Sequence, residues 1–68
     1  MKAIEKGDRF EALRPRDEGK VIEVREVLDG GTRFRVQTEV HPKNPTAVGL
    51  RRTVSLLTLQ AEYRRISR

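Results

Sequence analysis

Between residues 20 and 40 the chain alternates apolar and charged side chains on either side of a turn that favours glycine. Thr32 to Val40 places Phe34, Val36, Thr38 and Val40 on one face and Arg33, Arg35, Gln37 and Glu39 on the other. A period of two marks a β-strand with one dry and one wet face. Asp29-Gly30-Gly31 precedes it, and an Asp-Gly or Gly-Gly pair between β-rich runs makes a hairpin turn. Lys20 to Leu28 is the expected partner strand, with Ile22 and Val24 on one face and Glu23 and Arg25 on the other. Val27 is out of phase with that pair, so a bulge near Arg25-Glu26 is expected to bring it inward.

The same pattern extends in both directions. Asp8 to Leu13 is a first strand, with Phe10 and Ala12 sharing a face and Leu13 out of phase at its end. Arg14 to Gly19 is a loop, because Pro15 withholds a ladder donor and Gly19 tolerates a turn conformation. His41 to Gly49 contains two prolines and a glycine, which predicts a long, exposed and mobile loop. Leu50 to Leu56 is a fourth strand. Arg52 interrupts its alternation, so either it lies near a sheet edge or the register changes there. Leu57-Thr58-Leu59 is expected to be one turn of 3₁₀-helix, leading into a short last strand from Glu62 to Ile66. No helix-period run of useful length is present; the only candidate, Ser55 to Arg65, is weakened by Thr53, Val54 and Thr58.

Size then selects the architecture. With 68 residues, the chain allows one domain and cannot fill a two-sheet sandwich. A strongly bent sheet closed on itself buries one face and removes edges. The expected fold is therefore all-β, a small SH3-like five-stranded antiparallel barrel. An OB-like barrel is the alternative, although OB folds usually need more chain and a helix. There is no Cys, which excludes a disulfide framework and a cysteine-based zinc site. Apolar runs stop at two or three residues and no secretory stretch opens the chain, so neither a membrane span nor export is expected and the expected location is cytoplasmic.

Two resemblances accompany this reading. Lys6-Gly7-Asp8 followed by Gly19-Lys20-Val21 resembles the opening of KOW and Tudor-like modules over about the first third of the chain. A broader set resembles small uncharacterised proteins of actinobacteria and their phages: Gly7-Asp8-Arg9-Phe10, Arg16 to Val24, Arg52-Thr53-Val54-Ser55-Leu56, Leu59 and Tyr63-Arg64. That second resemblance implies an SH3-like fold and brings no established activity, substrate or partner.

No catalytic arrangement is legible, and no enzyme is expected. His41 is the only histidine and sits beside Pro42, where a solvated surface side chain is expected. One histidine and two serines, Ser55 and Ser67, at this spacing make no triad. Asp17 and Glu18 do not make an oxygen cage for a cation. Gly30-Gly31 lacks the lysine and helix of a phosphate-binding loop. Neither a metal nor a cofactor is expected.

Charge gives the functional lead. The net charge is +5, and it is uneven: residues 1–30 hold seven basic and eight acidic side chains, residues 31–68 hold eight and two. Arg33 and Arg35 share a face about 7 Å apart along their strand, within a factor of two of successive phosphates. Arg51, on a neighbouring strand, joins them if it faces the same way. Eleven of the fifteen basic residues are arginine, which bridges phosphates bidentately. Phe10 and Phe34 are needed in the core, leaving Tyr63 as the one ring able to show an edge, so a base-stacking platform is not expected. The expectation is a small basic module that binds duplex DNA or structured RNA mainly through phosphate, in an accessory role. Its candidate residues are Arg33, Arg35, Lys43, Arg51, Arg52, Arg64 and Arg65. The competing expectation is a protein-protein adaptor, in a phage setting one that binds a host protein, using the mixed-charge loop Arg14, Arg16, Asp17 and Glu18. An edge-strand homodimer is compatible with either.

Overall fold

In the computed structural model, which describes residues 3–67, the hairpin is the centre of the molecule. Strand β2 (Val21–Leu28) turns through Asp29-Gly30-Gly31 into β3 (Arg33–Val40). The turn needs positive φ at three successive residues, 48° at Asp29, 66° at Gly30 and 99° at Gly31, which explains the glycine pair. Strand β1 (Arg9–Ala12) pairs with β2, β4 (Arg51–Ser55) pairs with β3, and β5 (Tyr63–Ser67) pairs with β1. All pairings are antiparallel and the strand order is β4-β3-β2-β1-β5. The result is an open, curled half-barrel sheet whose two edges are β4 and β5.

Its concave face holds the core of Phe10, Ile22, Val24, Phe34, Val36 and Leu59, with Ile4, Val54, Leu56 and Tyr63 packed against it. The alternation read from the sequence accounts for five of the six buried core residues. The sixth comes from a correction. Leu56–Glu62 is a seven-residue α-helix, α1, where a single 3₁₀ turn was expected. Ser55 caps it, its hydroxyl accepting the Thr58 backbone N–H at 3.1 Å. The helix drops Leu59 into the core at 0% exposure. Two turns are too few for a helical period to stand out, and an isolated helix of that length has little stability of its own. Packing of Leu59 and the Ser55 cap supply what propensity does not.

Three bulges re-aim side chains. On β2, Val24 faces Val36 and Glu26 faces Arg35, so Arg25 is the extra residue. The bulge lies where the phase of Val27 requires it, and Val27 then faces Phe34 across the hairpin. Val27 nevertheless stays 42% exposed, because it sits at the open end of the sheet. On β3, Ile22 faces Thr38 and Val21 faces Val40, so Glu39 is extra. That shift turns Val40 to the convex face, where it is 47% exposed, against the expectation of a core position. It also turns His41 inward, where it is only 8% exposed rather than solvated. On β5, Phe10 faces Arg65 and Arg9 faces Ser67, which leaves Ile66 as the extra residue.

The loop of residues 41–49 is built from successive turns. Asn44 N–H donates to His41 O, Ala47 N–H to Asn44 O, and Gly49 N–H to Thr38 O. It packs on the loop that contains Pro15–Asp17: Lys43 Nζ donates to Pro15 O at 2.9 Å. A Cβ on Gly19, whose φ is +85°, would meet Pro42 Cγ at 2.9 Å. Gly19→Ala is therefore expected to destabilise the domain by more than about 1 kcal/mol, through backbone strain and the displaced proline. A urea melt checks this, and an unchanged midpoint would show that the two loops separate at little cost.

Candidate nucleic-acid interface

The register assigns each arginine to a face, since residues directly opposite across antiparallel strands point the same way. Arg35 faces Thr53 and Gln37 faces Arg51, so Arg33, Arg35 and Arg51 all lie on the convex face, as the sequence reading required of a convergent set. Arg64 faces Glu11 and is on that face as well, across the sheet on β5. Arg52 faces Val36 and belongs to the concave face, on the edge strand, which is why it interrupts the alternation. Arg65 faces Phe10 and is likewise concave.

The convex face is a lattice of exposed ion pairs. Arg9 pairs with Glu39 at 2.9 Å, Arg25 with Glu23 at 2.9 Å and Arg35 with Glu26 at 3.9 Å. Arg33 pairs with Asp29 at the turn, and Arg64 with Glu11. Such pairs are each worth about 0–1 kcal/mol, so an incoming phosphate can take an arginine from its carboxylate cheaply. Arg51 and Arg52 differ: among the described residues neither has a carboxylate within ion-pair distance. Lys43 lies 3.8 Å from Glu18. The mixed-charge loop is partly committed to its neighbours, Arg14 to Glu62 at 3.3 Å and Asp17 to His41 at 3.5 Å.

Two functional-looking groups escape a sequence reading. Asp8 is fully buried, and its Oδ2 accepts the Glu5 backbone N–H at 2.9 Å and faces Arg65 at 3.3 Å. Asp8 Oδ1 has no hydrogen-bond partner. Arg65 also lies over the Phe10 ring, 5.7 Å from its centroid, so this arginine is built into the core rather than offered to a ligand. Lys20 is only 8% exposed, and its ammonium lies 5.8 Å from the centre of the Tyr63 ring. The period-2 phase of Ile22 and Val24, carried back two residues, does place Lys20 inward. The phase of Phe10, carried back two residues, places Asp8 inward in the same way, but gives no sign of the Arg65 partner it finds there.

The concave face therefore has two ends of different character. One is an apolar groove of about 800 Å³ lined by Ile4, Phe10, Phe34, Leu56, Leu59 and Tyr63, among others. The other is a smaller polar pocket of about 300 Å³ beneath the two packed loops. No helix among the described residues is long and apolar enough to cross a membrane. None of the described His, Asp and Glu side chains gather in a group of three or more that could hold a metal ion. No protein-family model matches the chain, and no curated protein or solved structure is significantly similar to it.

Proposed function

We propose that this chain is a small basic nucleic-acid-binding module of SH3-like type, a binding protein rather than an enzyme, that contacts duplex DNA or structured RNA mainly through phosphate. The observation that supports it most is the pair of unpartnered guanidiniums on β4, beside two more whose exposed ion pairs are weak. Arg51 adds to Arg33 and Arg35 on the convex face, and Arg52 and Lys43 extend the positive charge around the β4 edge. Asp29, Glu26 and Glu18 pair with Arg33, Arg35 and Lys43 of this set, so Arg51 and Arg52 are the members without a carboxylate among the described residues. The excess charge over residues 31–68 draws phosphate and makes binding salt-dependent. Arg65 contributes less because the buried Asp8 holds it, and Arg64 contributes less because it lies on β5, at the opposite edge of the sheet from β4.

The expected result is micromolar binding to a short duplex in a fluorescence-anisotropy titration, falling steeply with salt. Replacing Arg33 and Arg35 together by alanine is expected to weaken it at least about tenfold, and each direct phosphate contact removed should lower the salt slope by about one. Arg51→Ala should lower that slope by the same step, and Arg9→Ala, on β1, should leave it unchanged. Affinity and slope that ignore Arg33, Arg35 and Arg51 would remove this face from consideration.

The apolar groove favours a second reading, a protein adaptor. A groove of about 800 Å³ floored by Phe10, Phe34 and Leu59 is large for so small a domain. The unpaired edges β4 and β5 also suit strand addition by a partner or a second copy. Absence of duplex binding at low salt, together with capture of a protein that Leu56→Glu releases, would favour this reading.

A further inference from the structure

The polar pocket is lined by Arg16, Lys20, Thr38, His41, Asn44 and Arg52, with Asp17 at its wall. Its chemistry is lopsided. Three cations surround a single carboxylate, and that carboxylate is engaged: Asp17 Oδ1 lies 3.5 Å from His41 Nε2 and its Oδ2 lies 3.9 Å from Arg16 Nε. Lys20 and Arg52 have no carboxylate within ion-pair distance among the described residues. Lys20 is 8% exposed, and among the described residues its ammonium has no hydrogen-bond acceptor and lies 5.8 Å from the centre of the Tyr63 ring. The Tyr63 face is a weak partner for a cation, so an anion in the pocket would give Lys20 and Arg52 the counter-charge that no described carboxylate supplies. The buried His41 Nδ1 also has no partner.

Neutral donors complete the lining. Asn44 Oδ1 accepts the Thr46 hydroxyl at 2.7 Å, which orients the amide and leaves its NH₂ free to donate. The pocket's volume is roughly that of ten waters in the liquid, ample room for a compact anion. Three cations less one carboxylate leave two positive charges, which a phosphate monoester, carrying about −1.5 to −2 at neutral pH, would balance.

We propose that this pocket is a binding site for a phosphate monoester, with Lys20 and Arg52 as its charge partners and His41 and Asn44 as its polar wall. The group is either free phosphate or the terminal phosphate of a strand; the second source rests on the nucleic-acid reading above. Arg52 is the one side chain the pocket shares with that convex and edge surface, so Lys20 distinguishes the two sites.

The test is a heteronuclear NMR titration of the whole chain with inorganic phosphate, with sodium chloride at matched ionic strength as control. Saturable shifts are expected at the Lys20, Thr38, His41 and Asn44 amides and at the His41 ring, with none from chloride. Lys20→Met keeps the buried stem, removes the charge and should weaken phosphate at least about tenfold, as expected for losing a charge-assisted contact; Arg51→Ala should leave it within about twofold. A duplex with 5′-phosphate ends is then compared with its 5′-hydroxyl twin. A Lys20-dependent preference for the phosphorylated duplex assigns the site to strand ends, and equal binding of the two duplexes assigns it to the free anion. Shifts that chloride reproduces, or that Lys20→Met leaves unchanged, overturn the proposal. If Lys20→Met does not fold, the wild-type comparison of phosphate with chloride decides alone. A hydroxyl-ended duplex that fails to bind while phosphate still fills the pocket would refute the nucleic-acid reading and leave the site standing.

Discussion

Phe34→Ala is expected to destabilise the domain by about 3–5 kcal/mol, the usual cost of deleting a buried aromatic ring. Phe34 is 1% exposed at the centre of the hairpin and faces Val54 on β4 and Val27 on β2. It is therefore flanked by an apolar residue on each neighbouring strand and is part of the buried core cluster. A chain of 68 residues has a total stability of roughly 3–10 kcal/mol at ordinary per-residue values. The variant should accordingly be mostly unfolded, or close to it, at 25 °C. Circular dichroism with a urea melt reads this directly. A loss below about 1 kcal/mol would place the ring on the surface and reverse the facing of β3, and with it every assignment of arginines to the convex face.

Arg65→Met is expected to cost a comparable amount, about 3–5 kcal/mol, although it removes a surface-reaching charge. The reason is Asp8. Its carboxylate is fully buried, and Arg65 at 3.3 Å is the cation that faces it. Removing the guanidinium leaves a buried charge with the Glu5 N–H as its remaining hydrogen bond and Oδ1 still without one. The cation–π contact with Phe10 goes as well. The double variant Asp8→Asn, Arg65→Met should recover at least about half of the loss, since no unpaired buried charge remains. If the single variant is as stable as wild type, Asp8 is neutral or hydrated and the pair is not a structural element. The same variant separates stability from binding: Arg65 was a candidate phosphate contact by charge alone, and its position in the fold makes it the half-buried partner of a buried carboxylate.

Lys20 and Arg65 show where a charge-based reading goes astray. Both are cations in a basic chain, and composition treats them like Arg51. Lys20 is legible in part, because it shares the phase of Ile22 and Val24. Arg65 shares the phase of Tyr63, but nothing nearby in sequence shows that it is held, because the buried carboxylate it faces belongs to Asp8 near the other end of the chain. The convex set fared better. Arg33 and Arg35 share a face through local alternation alone, and the β3–β4 register that adds Arg51 follows the apolar phase of Phe34 and Val54.

His41 and Val40 show the limit most clearly. An unbroken period of two puts Val40 inside and His41 outside, and the structure has the reverse. A single extra residue, Glu39, flips every side chain after it. Glu39 is free to bulge because it finds Arg9 at 2.9 Å on the convex face, 30 residues away in sequence. Helix α1 was likewise decided from a distance, by the cavity that Leu59 fills.

What the sequence by itself determined is the repeating local chemistry. It includes the glycine turn at residues 30 and 31, the strands around it, five of the six core side chains and an all-β domain too small for two sheets. These follow from backbone sterics and from a period that any four residues reveal. What only the tertiary structure decided is the position of the bulges on β3 and β5, the short helix, the burial of His41, the pairing of Asp8 with Arg65, and which arginines are left without carboxylates. Each of those depends on a partner distant in the chain. An ion pair or a filled cavity is a property of two surfaces meeting, and a sequence read a few residues at a time carries only one of them.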